Sequence, residues 1–175
     1  MKKNSIKTYS LSAVFSALLC ISAWISVPTP VPFTLQTLVV AAAGAFLGAK
    51  RGFLSVLIYL LLGIIGLPVF AGFNSGFGVL LGPTGGFTLG FLVFSVICGL
   101  ASKNKSGLWQ IFGAMFLGLI ACYIIGSFWY CFVYSDSPQS LWAVLTTCVL
   151  PFIIPDTVKI FLATILVKKL KIHIK

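Results

Sequence analysis

The chain has 175 residues, of which 59% are hydrophobic and 8% charged, far below the roughly 25% charge of soluble domains. Water is therefore excluded as its main solvent, and the natural unit of organisation is a bilayer crossing of about 20 apolar residues, of which about six fit. A net charge of +10 would suggest nucleic acid in a soluble protein. Here the twelve Lys and Arg stand in short clusters between apolar runs without interleaved aromatics, which argues against a nucleic-acid partner.

Lys2 and Lys3 precede an apolar run from Leu11 to Ile25 that imitates a secretory leader. It leads straight into further apolar segments with no small-residue cleavage site, so it reads as a first membrane helix. From Thr8 to Ala49 there are 42 residues without a charge. Pro28, Pro30 and Pro32 divide them, since proline ends helices, and the prediction is one helix over 8–26 and a second over 34–49. Lys50 and Arg51 then open a third helix over 52–66.

Residues 66–82, GLPVFAGFNSGFGVLLG, combine Gly, Pro68, Asn74 and Ser75 with Phe70, Phe73 and Phe77. Such a segment is expected to be a structured, non-helical outer loop folded over or into the bundle, because its apolar side chains would not lie loose in water. Helices over 83–101, 108–133 and 141–167 follow, with turns at Lys103 and Lys105 and at Asp136 and Pro138. Trp129, Tyr130, Tyr134 and Trp142 flank the second turn as an interfacial aromatic belt would.

The expected fold is thus all-α, a single bundle of six transmembrane helices in a multi-pass plasma-membrane protein. Cytoplasmic loops carry the Lys and Arg excess. With both termini cytoplasmic, eleven of the twelve basic residues fall inside and none falls in the three outer loops. Small residues recur at four-residue spacing, which lets helix backbones approach closely: Ala13/Ala17, Gly44/Gly48, Gly82/Gly86/Gly90 and Ala114/Gly118/Cys122/Gly126. Packing within the bundle explains most of these. The first helix has a free face, so Ala13 and Ala17 are the candidate partner interface.

The twelfth basic residue, Lys159, lies three positions after Asp156 on one helix face. Asp156 is 14 residues beyond Trp142, about 21 Å along a straight helix at ~1.5 Å per residue; Pro151 and Pro155 are expected to kink that path. An ionisable residue inside a span is a functional-site hypothesis by default. The alternatives are an ion pair that only packs the helix, or a Lys159 that snorkels to the inner surface. Thr34, Gln36, Thr37, Asn74, Ser75, Thr84 and Thr88 supply further polar groups in the outer half, with Phe33, Phe70, Phe73 and Trp129 as apolar walls. Together they suit a small-ligand pocket.

No enzyme is expected. The GPTGG stretch at 82–86 lacks the Lys-Ser or Lys-Thr of a nucleotide loop. His173 lies in the basic tail, and the five cysteines show no metal spacing, so no metal or cofactor is implied.

Four stretches, VPFTLQTL at 31–38, GLPVFAG at 66–72, GVLLGPTGGFTLGF at 78–91 and PFIIPDTVKIFLA at 151–163, resemble BioY, the biotin-specific substrate-binding (S) component of energy-coupling factor (ECF) transporters. The resemblance implies an S-component bundle with a biotin site near the outer side, covered by the long loop. Asp156 and Asn74 would hydrogen-bond the ureido ring, and Lys159 would meet either the valerate carboxylate or Asp156. It also implies association with a transmembrane coupling subunit and two ATPase subunits through Ala13 and Ala17. The other readings are an S component for another vitamin, or a membrane scaffold that transports nothing.

Overall fold

The computed structural model describes residues 2–29, 31–101, 107–134 and 141–173. The chain is built from α1 (Lys2–Trp24), a two-strand hairpin β1 (Ser26–Val27) and β2 (Phe33–Thr34), α2 (Gln36–Leu47), α3 (Ala49–Ile64), α4 (Phe77–Leu81), α5 (Gly85–Ala101), α6 (Leu108–Trp129), α7 (Leu141–Cys148) and α8 (Leu150–His173). The turns expected at 103–105 and 136–138 lie outside the described residues.

Several boundaries differ from expectation for local reasons. The first helix stops at Trp24, and the chain then pairs Ser26 with Thr34 and Val27 with Phe33, antiparallel. Between α2 and α3 the corner is one residue, Gly48, at φ 86°. Glycine reaches that region without a side-chain clash, so Lys50 and Arg51 sit in the first turn of α3 rather than between helices. The outer loop contains the short helix α4 instead of being wholly non-helical. The last predicted helix is two helices broken at Val149. Pro151 stands in the first turn of α8, where no intrahelical donor is lost, and Pro155 lies inside that helix.

Three of the four predicted stripes of small residues, all but Ala13/Ala17, contribute to the packing surfaces of α5. A Cβ on Gly86 would meet Trp129 and Gly126, one on Gly90 would meet Cys122, and one on Gly118 would meet Phe94. On the other side of α5, Gly44 rests on the Ser95 carbonyl and Cys98, while Gly99 rests on Ala49. With the α5 backbone held this closely by α2, α3 and α6, the bundle encloses Leu19, Val40, Val56, Phe94, Met115, Leu119 and Ile160, all essentially without exposure.

Outside, large apolar side chains face the surroundings along whole helices. Leu117, Ile124 and Phe128 on α6 and Ile154 and Leu162 on α8 are more than half exposed, a surface that water does not tolerate at this extent. The segments Leu108–Tyr134 and Leu150–Lys171 are long and apolar enough to cross a membrane, while Tyr9–Trp24, Gln36–Leu47 and Gly85–Ala101 are apolar but shorter.

Overpacking a tight helix contact costs about 1–3 kcal/mol, and ~1 kcal/mol moves the melting point of a chain this size by about 2–4 °C. Gly44→Val, whose side chain would have to displace the Ser95 backbone, is expected to lower the melting temperature in detergent by about 5 °C. Gly78→Ala, which meets open space, is expected to leave it unchanged. Scanning fluorimetry of the two variants checks this.

Candidate ligand site

The starts of α2, α5 and α8 and the α3–α4 connection surround a cavity of about 510 Å³. It lies at the opposite end of the bundle from Lys50, Arg51, Lys168 and Lys169, which occupy the α2–α3 corner and the last turns of α8. Its volume falls in the range of small-molecule sites, roughly 300–1,000 Å³.

Asp156 and Lys159 sit one turn apart on α8, both at 5% exposure or less, and both line the cavity. Lys159 Nζ donates to Asp156 Oδ1 at 2.8 Å and to the Thr34 carbonyl at 2.5 Å, and lies 3.4 Å from the centroid of the Phe33 ring. Asp156 also accepts from Thr37 Oγ1 at 3.0 Å and, through Oδ2, from the Tyr123 hydroxyl at 2.7 Å. A buried carboxylate and a buried ammonium are tolerable only when paired and further hydrogen-bonded in this way. Lys159 therefore does not snorkel to the inner surface. It points back toward β2 and ties the hairpin to α8.

A second polar group stands on the α2–α3 side. Gln36, buried, donates through Nε2 to the Tyr59 hydroxyl at 2.7 Å and accepts through Oε1 from Thr34 Oγ1 at 3.1 Å. Asn74 lines the cavity from the outer loop with its Nδ2 donating to the Ala71 carbonyl at 2.8 Å. Thr84 lines it from the start of α5, its carbonyl accepting from Thr88 Oγ1 at 2.8 Å. Apolar wall is supplied by Phe33, Phe70, Phe87 and Phe152.

Six of the seven predicted site residues, Asp156, Lys159, Asn74, Gln36, Phe33 and Thr84, are thus brought together. Phe73 is not. Gly72 at φ 69° and Phe73 at φ 60° turn the ring outward, where it is 63% exposed and stacks on Trp24; Phe70, three residues earlier and also expected as a wall, does face the cavity. Trp129, expected as a wall, donates Nε1 to the Gly82 carbonyl at 3.2 Å and packs on Gly86, so it holds the GPTGG stretch rather than lining the cavity. Tyr59 and Tyr123 are site residues that the sequence reading missed. Their signal was available: a phenol in mid-helix, away from the interfacial belts where tyrosine is common, needs a buried partner.

Ala13 and Ala17 are exposed on α1, in one strip with Val14, Leu18 and Ile21. Among the described residues, no three His, Cys, Asp or Glu are grouped to hold a metal ion.

An apolar cavity with a few aimed polar groups, inside an all-α bundle with an apolar exterior, defines a helical membrane protein built to hold a small ligand. The sequence model of the BioY family matches residues 1–175, and the chain belongs to that family. It is 42% identical over 166 residues to a probable biotin transporter BioY of Pyrococcus horikoshii, covering 94% of this chain and 96% of that one. To the biotin transporter BioY of Thermotoga maritima it is 40% identical over 163 residues, covering 91% and 93%. The fold matches a crystal structure of the S-component for biotin from an ECF-type ABC transporter, with a TM-score of 0.90, 31% identity and coverage of 98% of this chain and 94% of the other.

Removing one member of a buried ion pair strands the other, at a cost of about 3–5 kcal/mol, whereas replacing both by apolar residues is close to neutral. Asp156→Ala is expected to be strongly destabilised, and Asp156→Ala combined with Lys159→Met to recover most of the loss. Unfolding of the single and double variants in detergent measures the coupling.

Proposed function

We propose that the chain is the biotin-binding subunit of a biotin uptake system in the plasma membrane, energised by a separate ECF module. The observation that carries this reading is the buried Asp156–Lys159 pair in the wall of a small-ligand cavity, in a chain matched along nearly its whole length by relatives named as biotin transporters.

The chemistry fits the ligand. A ureido ring offers two N–H donors and one carbonyl acceptor. Asp156 is the acceptor for an N–H, Asn74 and the Tyr123 hydroxyl lie within the same cavity wall, and the aromatic walls accept the sulfur-containing ring and its aliphatic chain. Lys159 is the candidate partner for the carboxylate. Its engagement with Asp156 and Thr34 means that such a ligand would exchange hydrogen bonds with the protein instead of finding a free ammonium.

In this reading six helical passes cross the membrane, with α7 and α8 making one pass between them, and both termini are cytoplasmic. The positive-inside distribution supports that orientation, and it turns the cavity outward. The partners are a transmembrane coupling subunit, which meets the exposed Ala13/Ala17 face of α1, two ATPase subunits, and the surrounding lipid. No resident cofactor is needed, because biotin is cargo.

Equilibrium binding of labelled biotin to the purified protein tests the proposal. Saturable binding is expected, with no competition from riboflavin, thiamine or pantothenate. Charge-assisted hydrogen bonds contribute about 1.5–3 kcal/mol, so Asp156→Asn is expected to weaken binding by roughly ten- to hundredfold. Binding of a different vitamin makes the chain an S component of other specificity, and binding of none leaves the scaffold reading.

A further inference from the structure

Trp24, the last residue of α1, is 40% exposed and does not line the cavity, yet two contacts tie it to the connection between α3 and α4. Its indole Nε1–H donates to the Pro68 carbonyl at 2.8 Å, and its rings stack on Phe73 with centroids 5.3 Å apart and planes at 21°. Phe73 takes up that position through a left-handed backbone, φ 60°. A non-glycine residue holds such a conformation only where its surroundings require it, and such outliers gather at ligand clamps and switches.

The segment that Trp24 holds contributes Phe70, Ala71, Asn74 and Ser75 to the wall of the cavity. Phe70 and Asn74 lie on either side of the Gly72–Phe73 turn and face inward as cavity wall, while Phe73 faces outward onto the indole. The base of the segment is fastened by backbone bonds from Phe70 N to the Asn74 carbonyl, 3.0 Å, and from Gly76 N to the Gly63 carbonyl, 2.8 Å. Its middle is fastened to α1 by Trp24.

We infer that Trp24 is a positioning residue for ligand retention: from α1 it latches residues 68–76 against the cavity and so sets how fast a bound ligand leaves. The inference rests on the biotin reading of the cavity. Ala17, Ile21 and Trp24 follow one another at helical spacing on one face of α1, so the latch continues the exposed strip assigned to the coupling subunit, about 10 Å farther along at ~1.5 Å per residue. A tilt of α1 against a docked partner would pull directly on that segment. The competing view is that Trp24 only anchors α1 at the membrane interface, in which case the segment is indifferent to it.

The test uses the full chain in lipid nanodiscs. Dissociation of labelled biotin is measured after an unlabelled chase, and amide hydrogen exchange of residues 66–76 is followed without ligand, in wild type, Trp24→Ala, Trp24→Phe and Phe73→Ala. From the combined loss of a hydrogen bond and an aromatic stack, Trp24→Ala is expected to release biotin roughly tenfold faster or more. Phe73→Ala should approach it, and Trp24→Phe, which keeps a ring but no donor, should fall between. Residues 66–76 should exchange faster in the same order while α2, α5 and α8 are unchanged. Wild-type release and wild-type exchange at 66–76 in Trp24→Ala overturn the latch, as does faster exchange spread over all helices with no effect in Phe73→Ala. If wild type binds no biotin, the functional reading fails, and the exchange of 66–76 still decides whether Trp24 holds the segment.

Discussion

The site depends on one ion pair. Asp156 and Lys159 are the two charges buried in the wall of the cavity, and each is satisfied by the other and by contacts from elsewhere in the chain. Asp156 draws in Thr37 from α2 and Tyr123 from α6; Lys159 draws in the Thr34 carbonyl and the face of Phe33 from the hairpin. Three elements, the hairpin, α2 and α6, are thereby fixed to one turn of α8. A buried pair is weak evidence for stability, since apolar substitutes of the same volume usually do as well. Its value here is that it presents a carboxylate, a phenol and an ammonium to the cavity in fixed positions.

How the pair comes to lie at the right depth is a matter of helix starts. Pro151 sits in the first turn of α8 and the chain breaks at Val149, so Asp156 falls in the second turn, within the wall of the cavity. The hairpin does the equivalent for α2. By ending α1 at Trp24 and pairing Ser26 with Thr34, it brings Gln36 and Thr37 to the first turn of α2 at the same level. Glycines on α2, α5 and α6 then let these three helices come close enough for their side chains to meet those of α8 around the cavity.

Much of this was legible because charge is scarce in the chain. With two acids among 175 residues, an Asp three positions before a Lys inside an apolar run could hardly be overlooked, and the same scarcity made the clustering of the remaining basic residues informative. Periodic small residues likewise announced close helix contacts, though not which helices met. What stayed hidden depends on contacts between distant segments. The sequence marks Tyr59 and Tyr123 as phenols in need of a buried partner, but not that Gln36 and Asp156 are those partners. The outward turn of Phe73, which leaves Phe70 alone of the two expected wall residues in that loop, follows from two left-handed residues that no hydrophobic pattern marks. The single-residue corner at Gly48 was misplaced because Lys50 and Arg51 read as loop, whereas glycine alone makes the turn and the two cations begin the next helix.

The cavity also has a floor. Beyond Lys159 toward the basic end of the bundle, Ile160, Ala163 and Thr164 on α8 pack with Met115 and Leu119 on α6 and Phe94 on α5, all at 1% exposure or less, and the Thr164 hydroxyl donates to the sulfur of Met115 at 3.2 Å. Closing such a layer costs nothing once the helices are packed; opening it would expose six side chains and undo the glycine contacts that hold α5 to α6. A ligand that enters beside Asp156 therefore meets a binding site and not a pore. In the proposed function, inward delivery then calls for a rearrangement of the whole bundle, which accords with a separate energising module.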